Sequence, residues 1–441
     1  MIQLAQILFI LSILVILHEL GHYVAAKMFK VRVEKFYLFM DAGFSLFKKK
    51  IGDTEWGIGW LPIGGYVKLS GMIDESMDLE QMNQPPQPWE FRSKPAWQRL
   101  IIMLGGIIVN LLLAWFLYVM VYTNYGQKYI STATSQQNGL AFGAAGLDAG
   151  FVNGDKILSV DGQHQPRFNR MVLDILLGDR VVVDRNGSTK TIILTDAQKG
   201  AILNTEGKNF ISPRLRQIVV DSLTPKSEFA KAGALKGDKL MAINGHKFEF
   251  FDVLTDSLLQ HKNQFVLITV NRNGQDIDLK TKVNQDGKLG FQAKSEDKLN
   301  YQVINKLSLF EAIPEAVKES GQLLVYNVKQ FKLILRPKTE AYKHVKSPIG
   351  IARALPNEWN WEFIWNFTAL FSIGLAFMNL LPIPGLDGGH ALFTIAEMIT
   401  GKKLSENASG HVQTVGMVIL LTLMALTFGK DLFQLIMDSF F

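Results

Sequence analysis

Apolar residues run almost unbroken through four stretches of the chain, roughly 3–28, 98–122, 363–382 and 412–428, each close to the ~20 residues of helix that cross a bilayer. They form a pair at each end of the sequence. The first has no positively charged lead and no small-residue cleavage site, so it is expected to be a retained helix and not a signal peptide. Residues 36–68 follow another rhythm: Phe36, Tyr37, Phe39, Phe44 and Phe47, a Gly52-Asp53 turn, then Trp56, Ile58, Trp60 and Ile63. That pattern predicts a hairpin or small sheet, rich enough in aromatics to associate with a membrane. At 308–335, Phe310, Ile313, Val317, Leu324, Val328 and Phe331 recur among Lys and Glu, predicting an amphipathic helix on the membrane surface or packed beneath the soluble region.

The long region between the second and third stretches contains a repeat. Gly154-Asp-Lys-Ile-Leu-Ser-Val-Asp-Gly162 returns as Gly237-Asp-Lys-Leu-Met-Ala-Ile-Asn-Gly245, and Asp184-Arg-Asn-Gly187 is echoed by Asn271-Arg-Asn-Gly274. So long a period marks two copies of one small domain and not a solenoid. Short apolar strands alternating with Gly and Asn turns resemble the PDZ domain in its permuted bacterial form, which implies binding of extended peptide at a sheet edge. The expected fold is a polytopic α-helical membrane protein with four transmembrane helices, a membrane-associated β-hairpin and two tandem PDZ-like α+β domains. The expected divisions are a membrane half at 1–122, PDZ-like copies at 123–205 and 206–296, an amphipathic connector at 297–355, and a second membrane half at 356–441.

Composition agrees with a membrane protein: 48% of the 441 residues are hydrophobic. The net charge of +6 is small and its cations are dispersed among acids, so no nucleic-acid partner is expected. With no cysteine, metal ligands can come only from His and carboxylates. Lys30, Arg32, Lys35 and Lys48-Lys49-Lys50 in the first loop, with Lys402 and Lys403 in the last, place both loops in the cytoplasm and both termini outside. Chain parity then puts the repeats outside too.

His18-Glu19-Leu20-Gly21-His22 lies within the first apolar stretch. On a helix, histidines four residues apart share a face and can reach one metal, with Glu19 beside it as a general base. Ionisable residues are costly in lipid and mark function there, which outweighs the plainer reading of two core histidines. A zinc site needs a third protein ligand. Asp387, in Asn379-Leu-Leu-Pro-Ile-Pro-Gly-Leu-Asp-Gly-Gly-His390, is the best candidate, because parity brings the end of the third stretch to the same side as His22. Pro382 and Pro384 end the helix and the glycines let the backbone turn. His390 is the rival ligand, and Asp387 as a simple helix cap is the bland alternative.

Together with Leu61-Pro-Ile-Gly-Gly-Tyr-Val-Lys-Leu-Ser-Gly71 and Ser347-Pro-Ile-Gly-Ile-Ala352, these motifs resemble the site-2 protease family of intramembrane metalloproteases over essentially the whole chain. The resemblance implies Zn2+ held by His18, His22 and Asp387, and Glu19 as the base. It also implies substrate chain held by Asn379 and Pro382 and by Gly43 and Phe44. Implied substrates are transmembrane proteins already trimmed outside, such as an anti-sigma factor in envelope stress, and remnant signal peptides. The implied setting is the lipid bilayer of a bacterial inner membrane, with termini and PDZ-like copies periplasmic and peptide ligands for those copies. Gly385 and Asp41-Ala-Gly-Phe-Ser45 depart from the family pattern, which bears on the shape of the substrate groove. The donor set suits zinc and would also accept iron or cobalt. A PDZ-based membrane peptide-binding protein with a vestigial metal site is the competing expectation, and the intact Glu19 speaks against it.

Overall fold

The four apolar stretches are helices in the computed structural model, which describes residues 2–62, 64–72, 84–205, 210–216, 218–294, 301–402 and 406–440. They are Ile2–Met28, Ala96–Asn124, Trp361–Leu380 and the Gly410–Phe433 part of Glu406–Phe440, called here the first to fourth spans. The third stops at Leu380 because Pro382 and Pro384 follow at once. Contacts divide the chain into two units: Met1–Gly126 with Lys306–Lys329 and Val345–Phe441, and Gln127–Asn305 with Gln330–His344.

In the first unit the first three spans pack side by side. Gly21 faces Gly105, and a Cβ on Gly105 would lie 2.6 Å from the Gly21 carbonyl oxygen, so only paired glycines let the first two backbones meet this closely. Ile10, Leu14 and Ile364 fill one core, and Ala114, Leu117, Tyr118 and Val121 join Ala369 and Ile373 in another. The amphipathic helix is Leu309–Ile334. Its buried side toward the spans is the small one, Ala312, Ala316 and Ser320, while Phe310, Ile313 and Val317 stay exposed.

The aromatic hairpin exists as part of a larger sheet. Strands β1 (Val33–Leu38), β2 (Met40–Ile51), β3 (Thr54–Leu61) and β4 (Tyr66–Leu69) lie in the order β2-β3-β1-β4. β2 and β3 form the hairpin around the Gly52-Asp53 turn, and β1 pairs β3 in parallel. Ile63 lies outside the described residues, as does Lys403.

The second unit builds the sequence repeat twice. One copy has strands Lys156–Val160, Arg180–Arg185 and Ser188–Ile193 with helix Phe168–Leu177; the other has Lys239–Ile243, Phe265–Arg272 and Gln275–Lys282 with helix Phe251–Gln260. One polar device recurs in both. Arg185 grips Asp155 through two bonds of 2.8 Å and also donates to Gly150 O, and Arg272 grips Asp238 at 2.7 Å twice and donates to Gly233 O. Burial pushes the Asp238 carboxyl up, but the Arg272 fork and the Leu235 N–H outweigh it and hold it below the ordinary range. Asp179 is held low by the Lys199 ammonium, with Arg336 adding to it.

Groups with depressed folded-state values stabilise the fold above the ordinary carboxylate range and lose that contribution as pH falls through the folded values. Hydrogen exchange on the full-length protein, corrected for intrinsic rates, is therefore expected to show 239–243 and 265–272 losing protection below about pH 4. Protection unchanged down to about pH 2 would remove these carboxylates from the account.

Candidate metal centre

His18 and His22 stand one turn apart on the first span with ring centroids 4.9 Å apart. They lie against Gly106 of the second span, where a Cβ would come within 2.5 Å of both His18 Cε1 and His22 Nε2. Asp387 arrives from the far end of the chain. After the third span, Leu381–Leu386 turns through Gly385, whose φ of +93° suits glycine, and Asp387 opens the helix Asp387–Thr400.

The three donor atoms form a nearly equilateral triangle. His18 Nε2 and His22 Nε2 are 3.3 Å apart, and each is 3.2 Å from Asp387 Oδ2. Tetrahedral zinc, with bonds of about 2.0–2.1 Å, sets its ligand atoms about 3.3 Å apart. Asp387 Oδ2 is buried and accepts no hydrogen bond, an expensive state for a carboxylate oxygen unless a cation faces it. The residues fit the metal. His390 does not join them; its Nδ1 pairs with Gln413 Nε2 at 3.2 Å.

Outer partners orient the rings. His22 Nδ1 donates to Ile102 O at 2.8 Å, which leaves the Nε2 lone pair for the metal. At His18, Nδ1 faces the Asn110 side-chain amide at 3.1 Å, and Asn110 Oδ1 is buried without a partner. A half-turn of that amide presents the oxygen to a protonated Nδ1, the orientation that frees Nε2. Asn379 Nδ2 lies 3.0 Å from His18 Nε2, at the metal's edge. Glu19 stays outside the triangle. Its carboxylate meets the Val67 backbone of β4, which lies along the first span where Gly65 faces Val15 and Glu19.

Pro382 is exposed in the turn beyond the third span. Gly43 and Phe44 lie on β2, the sheet's outer edge, where Phe44 stacks on Trp60 at 5.6 Å. That edge is three strands, roughly 14 Å, from β4. Within the sheet, burial and its acceptor Asp41 push the Tyr66 hydroxyl up, so it remains a donor. Gly106 and Asn110 carry no motif that singles them out in the sequence. An adjacent glycine pair and a lone amide within an apolar span were the available signals.

Apolar helices that bring two His and one Asp around a single point, with the Glu19 carboxylate alongside, define a zinc metalloprotease embedded in a membrane. The chain belongs to peptidase family M50, the site-2 proteases, whose model matches residues 6–423. It is 28% identical over 453 residues to a provisionally named zinc metalloprotease of Vibrio cholerae, covering 96% of this chain and 97% of that one. To the regulator of sigma-E protease RseP of Escherichia coli it is 26% identical over 464 residues, 98% and 99% of the two chains. To protease RseP of Yersinia pestis it is 27% identical over 457 residues, again 98% and 99%. Zinc is accordingly its cofactor.

Proposed function

We propose that this enzyme hydrolyses peptide bonds inside the membrane-spanning segments of its substrates, with His18, His22 and Asp387 as zinc ligands and Glu19 as general base. The observation that carries the proposal is the donor triangle, built from the interior of the first span and the start of the helix that follows the third, and sized for zinc. When bound, zinc polarises a carbonyl and acidifies water. Glu19 takes the proton of the attacking water and returns it to the leaving amine, while its own position is fixed by Val67. Asn379 holds the substrate chain beside the metal, its amide donating to the carbonyl oxygen of the bond being cut; its position 3.0 Å from His18 Nε2 supports this.

A substrate helix hides its carbonyls in its own hydrogen bonds and must be unwound locally before it is cut. The freed strand pairs with the β2–β3 hairpin, with Gly43, Phe44 and Pro382 along its path; the exposed edge of β2 supports this. The repeats at 123–205 and 206–296 act as PDZ-like domains. In the second, Phe291–Lys294 is the edge strand of its sheet among the described residues, the side on which an extended peptide would add. With connector 297–355 they admit only substrates whose outer domain has been removed. The membrane halves 1–122 and 356–441 sit in the bacterial inner membrane, with the active site near the cytoplasmic face and termini and repeats periplasmic. Relatives named as regulators of sigma-E support an anti-sigma-factor substrate and an envelope-stress role, with remnant signal peptides as a second class.

The test is reconstitution in liposomes with a single-span substrate, made with and without a folded outer domain, and mass spectrometry of the products. Cleavage within the ~20-residue span, lost on chelation and restored by zinc, is expected for the trimmed form only. Scission confined to residues outside the span overturns the intramembrane assignment, and equal rates for both forms overturn the filter.

A further inference from the structure

Asp387 is carried on a short helix that packs on its neighbours through small residues. The buried face of Asp387–Thr400 is Gly388, Gly389, Ala391 and Thr394, a smooth surface without bulky knobs to select one register, while Leu392, Ile395, Met398 and Ile399 are exposed. Besides the contact of His390 with Gln413 on the fourth span, one buried ion pair ties it to the second span. In the last turn, Glu397 Oε1 accepts from Arg99 Nη2 at 2.5 Å, and Arg99 Nε also donates to Lys94 O at 3.0 Å. Both side chains are largely buried.

Each partner is misplaced by the rules of its own helix. Arg99 is a cation in the first turn of Ala96–Asn124, and Glu397 is an anion in the last turn of Asp387–Thr400. Both positions oppose the helix dipole. Residues that break a local preference without local gain are held for something beyond their own element. The spacing shows what that is. Eleven residues separate Arg99 from Asn110, and ten separate Glu397 from Asp387, so the two antiparallel helices match over about 15–16 Å. One rung is Arg99–Glu397. The other is the centre itself, where Gly106 lies against both His rings, Asn110 meets His18 Nδ1, and Asp387 meets the Nε2 atoms of the same two rings.

We propose that Arg99 and Glu397 are a positioning pair that sets the register of the Asp387 helix on the second span and thereby delivers Asp387 to zinc. A slip of one turn, about 5.4 Å, would carry the carboxylate out of reach of both histidines. The proposal rests on Asp387 being a zinc ligand.

The experiment compares full-length wild type, E397K, the swap R99E/E397R and D387N in detergent, reading zinc retention against a chelator and cleavage of a single-span substrate. E397K puts two cations together and is expected to weaken zinc binding by ~10–100-fold, the range for lost outer-shell support. The swap reverses the pair and places each charge where its helix dipole favours it, so it is expected to recover zinc binding to within several-fold of wild type. Wild-type zinc retention in E397K overturns the proposal. So does a swap that fails to recover zinc or fails to accumulate as folded protein. D387N separates the two readings: if it holds zinc as wild type does, the ligand assignment falls; if it loses zinc while E397K keeps it, only the register pair falls.

Discussion

Glu19→Gln protein is expected to bind zinc as wild type does and to cut a transmembrane substrate at least ~10²–10⁴-fold more slowly, the usual contribution of a positioned general base. Glutamine has nearly the same shape as the carboxylate and can still accept the contact from the Val67 backbone. The donor triangle of His18, His22 and Asp387 does not include residue 19, so the metal loses no ligand. What disappears is a group able to take a proton. The loss should therefore fall on kcat, with KM for the substrate little changed, because Glu19 makes no ground-state contact that glutamine cannot copy. Zinc content by mass spectrometry and single-turnover cleavage on one preparation decide the matter. Loss of zinc along with activity would make Glu19 part of the metal's support, and retained cleavage would place the base elsewhere.

Local chemistry was legible in the sequence, and register was not. His18 and His22 could be read as a pair because the helical period alone puts them on one face. Asp387 needed only chain parity and two prolines to be brought to the same side. Gly106, Asn110 and the Arg99–Glu397 pair depend on how one helix slides along another, which no spacing within a single segment reveals. The sheet divides the same way. The β2–β3 hairpin follows from alternation around Gly52-Asp53, whereas the parallel pairing of β1 with β3 joins strands across the whole hairpin. In Leu309–Ile334 the apolar stripe was visible, but the fully buried positions that pack on the spans are Ala312 and Ala316, with Leu323 and the stripe residue Leu324 only partly buried beside them. Against the apolar spans, close approach of small residues competes well with apolar bulk, so the most apolar positions need not be the most buried.

The same rule of small residues gives the other large effect: Gly106→Val is expected to abolish zinc binding and cleavage together. A Cβ at this position would lie 2.5 Å from both His18 Cε1 and His22 Nε2, well inside the ~3.5 Å at which such atoms rest. Neither ring can easily retreat. His22 is tied to Ile102 O and His18 to Asn110 on the second span itself, and the Gly21–Gly105 contact, next in sequence to both His22 and Gly106, fixes the distance between the two backbones there. Relief must come by rotating the rings off the metal or by parting the helices, and either breaks the triangle with Asp387. Gly374 of the third span supplies the control, since a Cβ there meets nothing within 4 Å. Gly374→Ala should retain full zinc and full activity, and alanine is the better helix former. Zinc content and cleavage for the two variants, each checked for native mobility on gel filtration, measure the contrast. A Gly106→Val protein that still held zinc would mean that the first two spans can part without losing the centre, and that the close contact of Gly21 with Gly105 does not set its geometry.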